Sequence, residues 1–577
     1  MRPLTLTALL LAACTADIMS PPGEPSRPSP NDPTKPDDPA DPGVAFALPV
    51  CDPSAGPLAT ELHRLTREEL GATLGDLLGA GVDLSTWLSQ LPAEDFSRGA
   101  ESFDNRYTQL HTEVLLELAL GAAGKVTATN ATLDTLLRAH VSCTTANVTD
   151  TCARDFIRSF GRRAWRRPLT TAEADAVFAA YQTGIDARDR FSVAVAVVLM
   201  APETLYHLEL GTSGQGSDAR FALSPYEVAS RLSYGVLGTA PTRELLAAAE
   251  AGALGTPAEV EAAAASLLSS PRARARTQEF FAWWLGTSNT PGIPTNPGFL
   301  AGLDTVGLRA EMSRELNQYL DWVVWTKRGS YAELLESNVS FARTPALAAI
   351  HGHALGADPN DATQVMEPGR KGLFLRGPLL TSPDDFTHPL PRGARLRTQV
   401  LCDVLGIPSP EAFAAQNEAQ APAAVREASA RVRYDQKTSA LQCAGCHQSI
   451  NPLGFALEGF DSAGRQRDVE VAYDQVSREV LAEHPLDLSV KNARIDRTKG
   501  EHADGASALI GLIAHSEKGP LCMARQLHRF YALRSEDTQV EACRLLEVKR
   551  ALETGSIVDG LRIHAARWAA TEKVVAQ

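Results

Sequence analysis

Apolar residues recur at helical spacing over most of the chain. In residues 58–78 the leucines stand mostly three to five positions apart, which approximates one apolar face of a helix. The same amphipathic pattern covers residues 271–284 and 308–325. Pro225 stands at the first position of a predicted helix that continues over 226–237, where the missing N–H of proline costs nothing. Alternation typical of strands is sparse, and its best run is 469–472. The pattern therefore predicts a mainly α fold.

The length and the breaks in this pattern divide the chain into modules. At roughly 150 residues per domain, 577 residues suggest three to five globular units. Turn-rich connectors interrupt the helical pattern at residues 289–298, 352–369 and 407–410. The charged segment 468–505 predicts a long loop with at most short strands. We expect a multidomain helical protein.

The N-terminus resembles an export signal. Arg2 supplies a short positive region, residues 4–13 supply an apolar one, and Leu11-Ala12-Ala13-Cys14 resembles a bacterial lipobox, whose cysteine receives a lipid. The alternative is an ordinary signal peptide with a chance cysteine. No aspartate follows Cys14 to resemble an inner-membrane retention signal. We therefore expect a lipoprotein that begins at Cys14 and is anchored to the membrane by its N-terminal lipid, in the cell envelope and at the outer membrane.

A proline-rich segment follows the lipidation site. Nine prolines lie between Pro21 and Pro42, mixed with Asp, Ser and Gly. Such a composition buries too little apolar surface to offset its ordering entropy, and proline stiffens it toward polyproline II geometry. It predicts a tether that holds the globular part away from the membrane.

Charge and composition exclude several functional classes. The net charge of −14 and the pI near 5.5 argue against a nucleic-acid binder, which shows a basic patch or stripe. Beyond the N-terminus no run of about 18 consecutive apolar residues occurs, so no transmembrane helix is predicted. The sequence also lacks a Gly-rich phosphate loop and the H-E-x-x-H and G-x-S-x-G motifs.

The motif Cys443-Ala444-Gly445-Cys446-His447 carries the clearest chemistry in the chain. C-x-x-C-H is the attachment sequence of c-type haem. Each thiol adds across a haem vinyl group, and residues three apart on a helical turn share a face, so both sulfurs reach one edge of the porphyrin. His447 is then expected to be the proximal axial ligand of the iron. Attachment takes place outside the cytoplasm, in agreement with the export signal.

The same two cysteines have alternative uses. They are compatible with a plain disulfide, with half of a zinc site or with a thioredoxin-type redox pair. No second C-x-x-C pair exists to complete the four ligands of a structural zinc site. A thioredoxin-type pair expects a βαβ context, which the helical pattern does not show. We therefore favour haem c as the cofactor.

Six of the nine cysteines remain after lipid and haem are accounted for. An oxidising compartment predicts disulfides between them, and six cysteines allow 15 pairings. Cys143 and Cys152 close a short polar loop and form the first predicted pair. The other expected pairs are Cys522–Cys543, as a staple between two consecutive C-terminal helices, and Cys51–Cys402.

Residues 443–461, CAGCHQSINPLGFALEGFD, closely resemble the signature of a secreted multidomain family that is abundant in planctomycetes and myxobacteria. This family is described as planctomycete-type cytochrome c, and its modules are domains of unknown function. Further segments resemble its other modules: residues 65–70, 74–79, 160–170, 223–234, 370–373, 392–393, 401–402 and 522–530. The resemblance covers nearly the whole chain after the tether and implies architecture, because no reaction is assigned to the family.

The motifs and the resemblance together predict seven segments. They are a signal peptide (1–13), a lipidated tether (14–45), an N-terminal helical module (46–130), a second helical module (140–212), a central helical module (217–350), a haem-binding module (365–470) and a C-terminal helical module (500–575). The chain departs from the family at three places. Asn451 stands where Asp is usual, Gly235-Val236-Leu237 stands where a Phe-Leu-Trp run is usual, and a glycine expected near Leu533 is absent.

The sixth iron position separates the possible functions. Methionine there gives a high-potential electron carrier, whereas an open position allows oxygen or peroxide chemistry. Met523, the one methionine after the motif, and His388 are the candidate sixth ligands. We expect electron transfer with an unidentified redox partner, or haem-dependent oxidation, which would make the protein an oxidoreductase. The alternative is a surface scaffold, or a lipoprotein that binds an extracellular polysaccharide without redox turnover.

Three other groups of residues have functional and ordinary interpretations. His351 and His353 resemble a small metal site but lack nearby carboxylates or cysteines. The arginine-rich segment 162–167 is suited to haem propionates, although solvation of a helix end is the simpler interpretation. Phe280, Phe281, Trp283 and Trp284 suit a polysaccharide surface but are expected in the core.

The lipobox makes the first testable prediction. Replacement of Cys14 by Ser removes the thiol that receives the lipid, so the variant should incorporate no labelled palmitate in a bacterial host. The wild-type chain is the positive control. Labelling of the variant equal to that of the wild type would show that the protein is not a lipoprotein modified at Cys14.

Overall fold

Helices dominate the architecture. The computed structural model describes residues 45–55, 62–79, 81–94, 103–211, 220–287, 292–294, 299–300, 302–358, 362, 364–406, 427–473, 479–570 and 573–574. These ranges contain 23 α-helices and eight short strands, which confirms the mainly α fold class. None of the described helices is both long and apolar enough to cross a membrane. The signal peptide, Cys14 and the tether lie outside the described residues.

The α-helices are Arg67–Leu78 (α1), Ser85–Leu88 (α2), Gln109–Val126 (α3), Asn130–Arg138 (α4), Asp150–Ala164 (α5), Thr171–Tyr181 (α6), Ala187–Met200 (α7), Pro202–Leu205 (α8), Pro225–Leu237 (α9), Arg243–Glu250 (α10), Pro257–Leu268 (α11), Pro271–Leu285 (α12), Leu308–Asp321 (α13), Tyr331–Glu336 (α14), Pro345–Ile350 (α15), Gly377–Leu380 (α16), Pro389–Arg395 (α17), Ala430–Thr438 (α18), Leu441–Ala456 (α19), Gly505–Ala514 (α20), Lys518–Ala532 (α21), Ala542–Thr554 (α22) and Ile557–Ala569 (α23). Two π-helical segments, Trp322–Thr326 and Leu396–Val400, continue α13 and α17. The strands are His63–Arg64 (β1), Tyr206–His207 (β2), Arg220–Phe221 (β3), Val469–Tyr473 (β4), Val480–Pro485 (β5), Ser489–Val490 (β6), Ala503–Asp504 (β7) and Lys573–Val574 (β8). They pair antiparallel as β1–β2, β3–β8, β4–β5 and β6–β7.

The helix predicted over residues 58–78 is wrong at its start. Within the described part of this range, residues 63 and 64 form β1, and the helix begins only at Arg67. Thr66 sets the boundary, because its hydroxyl accepts from Glu69 N and the Glu69 carboxylate accepts from Thr66 N, each at 3.1 Å. This capping box satisfies backbone donors that the first helical turn leaves unpaired. Leu62 lies before the cap and is 48% exposed, so it does not belong to the apolar face.

Other predicted elements are confirmed. Pro225 occupies the first position of α9, and Ser224 with Glu227 forms the capping box before it. The amphipathic segments 271–284 and 308–325 lie in α12 and in α13 with its π-helical continuation. The strand predicted over 469–472 lies in β4, which pairs with β5 within the charged segment. The part of this segment that the structure describes contains only short strands, as predicted.

One compact unit comprises Pro49–Phe280, Leu527–Ala551 and Val558–Gln577, and we call it the N-terminal unit. Its core includes a cluster of aromatic rings on α5 and α7. Phe156 stacks on Phe160 at 5.4 Å between centroids, and Phe191 meets Phe156 edge-on at 5.1 Å. All three rings are at most 1% exposed. Burial of large aromatic side chains supplies much of the stabilisation of such a core.

Two departures from the family have local explanations in the N-terminal unit. A Cβ atom on Gly235 would lie 2.8 Å from Cε2 of Tyr531, so a large side chain is excluded at this position of α9. Leu533 follows α21 with a φ of 51°, a left-handed conformation that glycine adopts without strain. The backbone at Leu533 therefore has the conformation for which a glycine was expected.

The other compact unit comprises the described residues within 45–48, 281–526 and 552–557, and contains the C-x-x-C-H sequence; we call it the motif unit. A buried ion pair joins Arg376 Nη1 to Glu315 Oε1, with both side chains at most 1% exposed. Glu315 also accepts from Phe341 N at 3.1 Å, and the guanidinium lies 3.4 Å from the centroid of the Tyr319 ring. These additional partners offset the desolvation penalty of burying two charges.

Three disulfides join the six described cysteines outside the motif. Cys143–Cys152 is present, and this predicted pair is confirmed. The other two pairs are Cys51–Cys543 and Cys402–Cys522, so the predicted pairs Cys522–Cys543 and Cys51–Cys402 are wrong. Cys522 lies ten residues before the end of α21, which is about 15 Å of helix at 1.5 Å per residue. A disulfide needs Cα atoms within about 7 Å. Cys522, near the start of α21, is therefore poorly placed to bond Cys543, near the start of α22.

Peptide mapping under non-reducing conditions tests this connectivity. We expect linked peptides for Cys51–Cys543, Cys143–Cys152 and Cys402–Cys522. Replacing Cys402 and Cys522 together by Ser should lower the free energy of unfolding by about 5 kcal/mol, because their crosslink spans 120 residues. Recovery of a Cys522–Cys543 peptide would contradict the arrangement.

Candidate functional site

The C-x-x-C-H sequence lies in the first turns of α19. Cys443 and Cys446 are three residues apart in this helix, so their thiols share a face, as the sequence predicts. Both cysteines are free and half-buried. They are the only free thiols in the part of the chain that the structure describes, where the other six cysteines form disulfides. The interpretation of these two cysteines as a plain disulfide therefore has no support from the geometry.

His447 is half-buried and is oriented by a residue one turn further along α19. Its Nδ1 lies 2.9 Å from Oδ1 of Asn451. Asn451 is 5% exposed and donates from Nδ2 to two groups on α18, Thr438 Oγ1 at 2.9 Å and Asp435 Oδ1 at 3.1 Å. No described residue forms a hydrogen bond with Nε2 of His447. The imidazole ring is thus held in place at Nδ1, and Nε2 is available to bind a ligand.

Helix α17 packs closely against α19 in an antiparallel direction. A Cβ atom on Gly454 would lie 2.0 Å from the carbonyl oxygen of Pro389, and one on Gly393 would lie 2.2 Å from that of Ile450. Further along, Arg397 Nε donates to the carbonyl of Ser449 at 2.9 Å. Glycine is required at both positions because the two backbones meet without an intervening side chain.

Two buried arginines connect α17 and its continuation to the surrounding backbone. Arg392 donates to the carbonyls of Leu457 at 3.1 Å and Phe460 at 2.9 Å, where α19 ends. Burial lowers the pKa of Arg392 to about 10, so it remains protonated at neutral pH. Arg397 is 1% exposed and donates to the carbonyls of Ala493 and Arg494. These bonds provide hydrogen-bond partners for backbone carbonyl groups.

Arg397 also determines where the loop at Arg494 lies. Arg494 has a φ of 52°, a conformation that costs of order 1–3 kcal/mol for a residue other than glycine. Its Nη2 donates to Oε1 of Gln448, the residue after the motif histidine, at 3.1 Å. A strained loop is therefore held against the exposed side of α19.

The chain after the π-helical segment borders the thiols. A Cβ atom on Gly406 would lie 3.8 Å from Sγ of Cys446. Val404, two residues earlier, is 93% exposed. The disulfide between Cys402 and Cys522 holds the start of this segment. The backbone at Gly406 thus approaches the free thiol of Cys446 without a side chain between them.

The two candidate sixth ligands lie in different surroundings. Met523 is completely buried in α21, so it does not line an open space large enough for a porphyrin. His388 precedes α17 and bonds Asp384 Oδ2 through Nε2 at 2.7 Å. Its neighbour Pro389 faces Gly454, seven residues and about 10 Å along α19 from His447. The structure brings neither residue into a hydrogen bond or ring contact with His447.

The other groups singled out in the sequence are engaged by ordinary contacts. His351 Nδ1 and His353 Nε2 both lie 2.8 Å from the hydroxyl of Ser340. Within the segment 162–167, Arg167 pairs with Glu173 at 2.8 Å and Arg163 donates to a backbone carbonyl. Of the four aromatic residues expected in the core, Phe280, Phe281 and Trp284 are at most 2% exposed, and Trp283 is half-buried. No group of three or more His, Cys, Asp and Glu residues in the described ranges is arranged to hold a metal ion.

Three family models match parts of this chain. They are PSD5, protein of unknown function (DUF1595), over residues 152–209; PSD4, protein of unknown function (DUF1592), over 223–352; and PSCyt3, protein of unknown function (DUF1588), over 370–470. These are planctomycete-type cytochrome c-associated domains. The third of these cytochrome c-associated domains contains α17 and α19. No curated protein and no solved structure matches the chain significantly.

Sequence reasoning placed the motif correctly on a helix but missed residues around it. In the sequence, Asn451 stands out only as a departure from the family. No local signal pairs Asp435, Thr438 or Arg397 with the motif, because their contacts depend on how α17 and α18 pack.

The close contact between α17 and α19 gives a stability prediction. Gly454→Ala should lower the free energy of unfolding by about 1–3 kcal/mol, because the added methyl group collides with a backbone carbonyl. Gly445→Ala is the matched control on the same helix. A Cβ atom there meets nothing within 4 Å, so alanine should stabilise by up to about 1 kcal/mol. Equal urea midpoints for the two variants would contradict the proposed contact.

Proposed function

We propose that Cys443 and Cys446 attach one haem c through two thioether bonds and that His447 is its proximal iron ligand. The observation that carries this proposal is the state of the cysteines. Six of the eight described cysteines are disulfide-bonded, and the two that remain free stand directly before a histidine with an available Nε2. Each thioether forms when S–H adds across a vinyl double bond, the sulfur to one carbon and the hydrogen to the other, without an oxidant.

The residues around the motif fit this group. The thiols share one helical face, and the half-buried imidazole follows them by one residue. Nε2 is the nitrogen through which a histidine held at Nδ1 binds a metal. Gly406 brings backbone without a side chain beside Cys446. Haem supplies an iron that cycles between the ferrous and ferric states.

With this cofactor, the protein acts in electron transfer or haem-dependent oxidation at the cell envelope. The lipobox at Cys14 and the proline-rich tether support anchoring to the outer membrane and an exported location, where haem attachment takes place. The matched domains are cytochrome c-associated, which supports a redox role, although their functions are unknown. The fifth iron ligand is His447, and Met523 or His388 remains a sequence-based prediction for the sixth.

The alternative is a surface scaffold or a polysaccharide-binding lipoprotein. This alternative rests on four aromatic residues of α12, of which Phe280, Phe281 and Trp284 are buried and Trp283 is half-buried. No observation on the described residues favours a carbohydrate surface on this helix. We therefore keep the redox function as the proposal.

Haem staining of a denaturing gel tests the proposal. The full chain matured in a host with haem-attachment machinery should stain, and Cys443→Ala with Cys446→Ala should abolish the stain. His447→Ala should reduce attachment or leave a high-spin, labile iron. His515→Ala is the matched control, since it changes an exposed histidine that pairs with Glu336 and does not follow the thiols, and it should retain the stain. Absence of covalent haem from the wild-type chain would reject the redox function in favour of the scaffold.

A further inference from the structure

We infer that Asn451 is a positioning residue that fixes the tautomer of His447, and that Asn451 and Asp435 together set the reduction potential of the iron that His447 binds. The second half of this inference rests on the proposed function. The first half concerns only this chain's own residues. It follows from hydrogen bonds that join α18 to α19 within the motif unit.

The orientation of the Asn451 amide is determined by its neighbours on α18. Thr438 uses its one hydroxyl hydrogen to donate to the carbonyl of Tyr434 at 2.7 Å. Its oxygen is therefore left as an acceptor toward Asn451. Asp435 offers a carboxylate oxygen, which is an acceptor as well. Two acceptors on the same side require the NH₂ group of the amide there, so Oδ1 must face His447.

An amide oxygen only accepts hydrogen bonds, so the nitrogen of His447 that faces it carries the hydrogen. A neutral imidazole has one N–H, and its other nitrogen then bears the lone pair. Nδ1–H therefore donates to Asn451, and Nε2 is left as the ligand atom. The tautomer needed for iron binding is set before any haem is attached.

Helix α18, which carries Asp435 and Thr438, is held in place by contacts away from the motif. Ala430 N, at the start of α18, donates to both carboxylate oxygens of Glu470 at 2.8 Å. Arg431 Nη2 donates to the carbonyl of Ser489 at 2.8 Å. Thr438, at the other end of the helix, is 3% exposed. Asn451 therefore meets acceptors whose positions do not depend on His447.

The choice of an amide rather than a carboxylate at position 451 affects the iron. A carboxylate that accepts from Nδ1–H draws the proton away from the ring and makes Nε2 a stronger donor, which favours ferric iron and lowers the potential. Here the negative charge stands one residue further away, on the exposed Asp435, and is transmitted through a neutral amide. The chain thus holds the imidazole in the required tautomer. The reduction potential stays higher than it would be with a carboxylate at position 451.

The tautomer can be measured without haem. Full-length protein with 15N-labelled histidine, made without haem-attachment machinery, is examined by magic-angle-spinning NMR, with the His447 signals assigned by comparison with His447→Gln. The wild type should show a protonated Nδ1 and an unprotonated Nε2. Asn451→Ala should lose this preference. Gln448→Ala is the matched control, because this exposed amide contacts Gly445 and Arg494 instead of His447, and it should retain the wild-type tautomer.

The potential is measured by redox titration of the haem-loaded full chain. Asn451→Asp should shift the ratio of ferric to ferrous protein at a fixed ambient potential by up to tenfold toward ferric, equivalent to a decrease of up to about 59 mV for one electron. Asp435→Asn removes the remote charge and keeps the shape of the side chain, so it should give a smaller shift in the opposite direction. Gln448→Ala should leave the midpoint unchanged.

The outcomes separate this inference from the proposed function. If the wild type carries no covalent haem, the proposed function fails, and the NMR measurement still decides the tautomer. If haem is present but Asn451→Ala keeps the wild-type tautomer, the positioning role is rejected. An unchanged or raised potential in Asn451→Asp would reject the role in setting the potential.

Discussion

The contact between α17 and α19 at Gly393 and Gly454 is the constraint on which the geometry of the motif unit depends. Two backbones meet there without a side chain between them, so the position of α19 is determined by main-chain atoms. Pro389 faces this contact and, as a proline, has no N–H that needs a partner. Small rotations of α19 are excluded because they would bring carbonyl groups into collision. The face that carries the two thiols is fixed accordingly.

Such a close approach removes carbonyl groups from water, and buried arginines satisfy them. One guanidinium has five donors in a planar arrangement, which a lysine cannot replace. Arg392 uses its donors where α19 ends, and Arg397 uses its own on α19 and on the loop at Arg494. Burial lowers the pKa of Arg392, but its value of about 10 lies well above neutral pH. The charge therefore persists, and charge-assisted hydrogen bonds stabilise the unit.

The sequence predicted features that depend on neighbouring residues and missed those that depend on packing. The mainly α class, the start of α9 at Pro225 and the position of the motif on a helix follow from local signals. The start of α1 was placed too early because leucine spacing outweighed the capping box at Thr66. The disulfides of Cys51 and Cys522 were mispaired, because separation along the chain does not report distances in a folded unit. The partners of Asn451 lie on another helix and have no local signal.

The same difference between local residues and packed helices is found within the site. The thiols and His447 belong to a single helix, so their relative positions require only that α19 forms. The hydrogen bonds that orient the imidazole through Asn451 require α18 to be packed as well. In the proposed function, attachment of a haem and control of its iron would therefore depend on different parts of the fold. A substitution in α18 would then alter the environment of His447, and with it the reduction potential, without removing the attachment sequence.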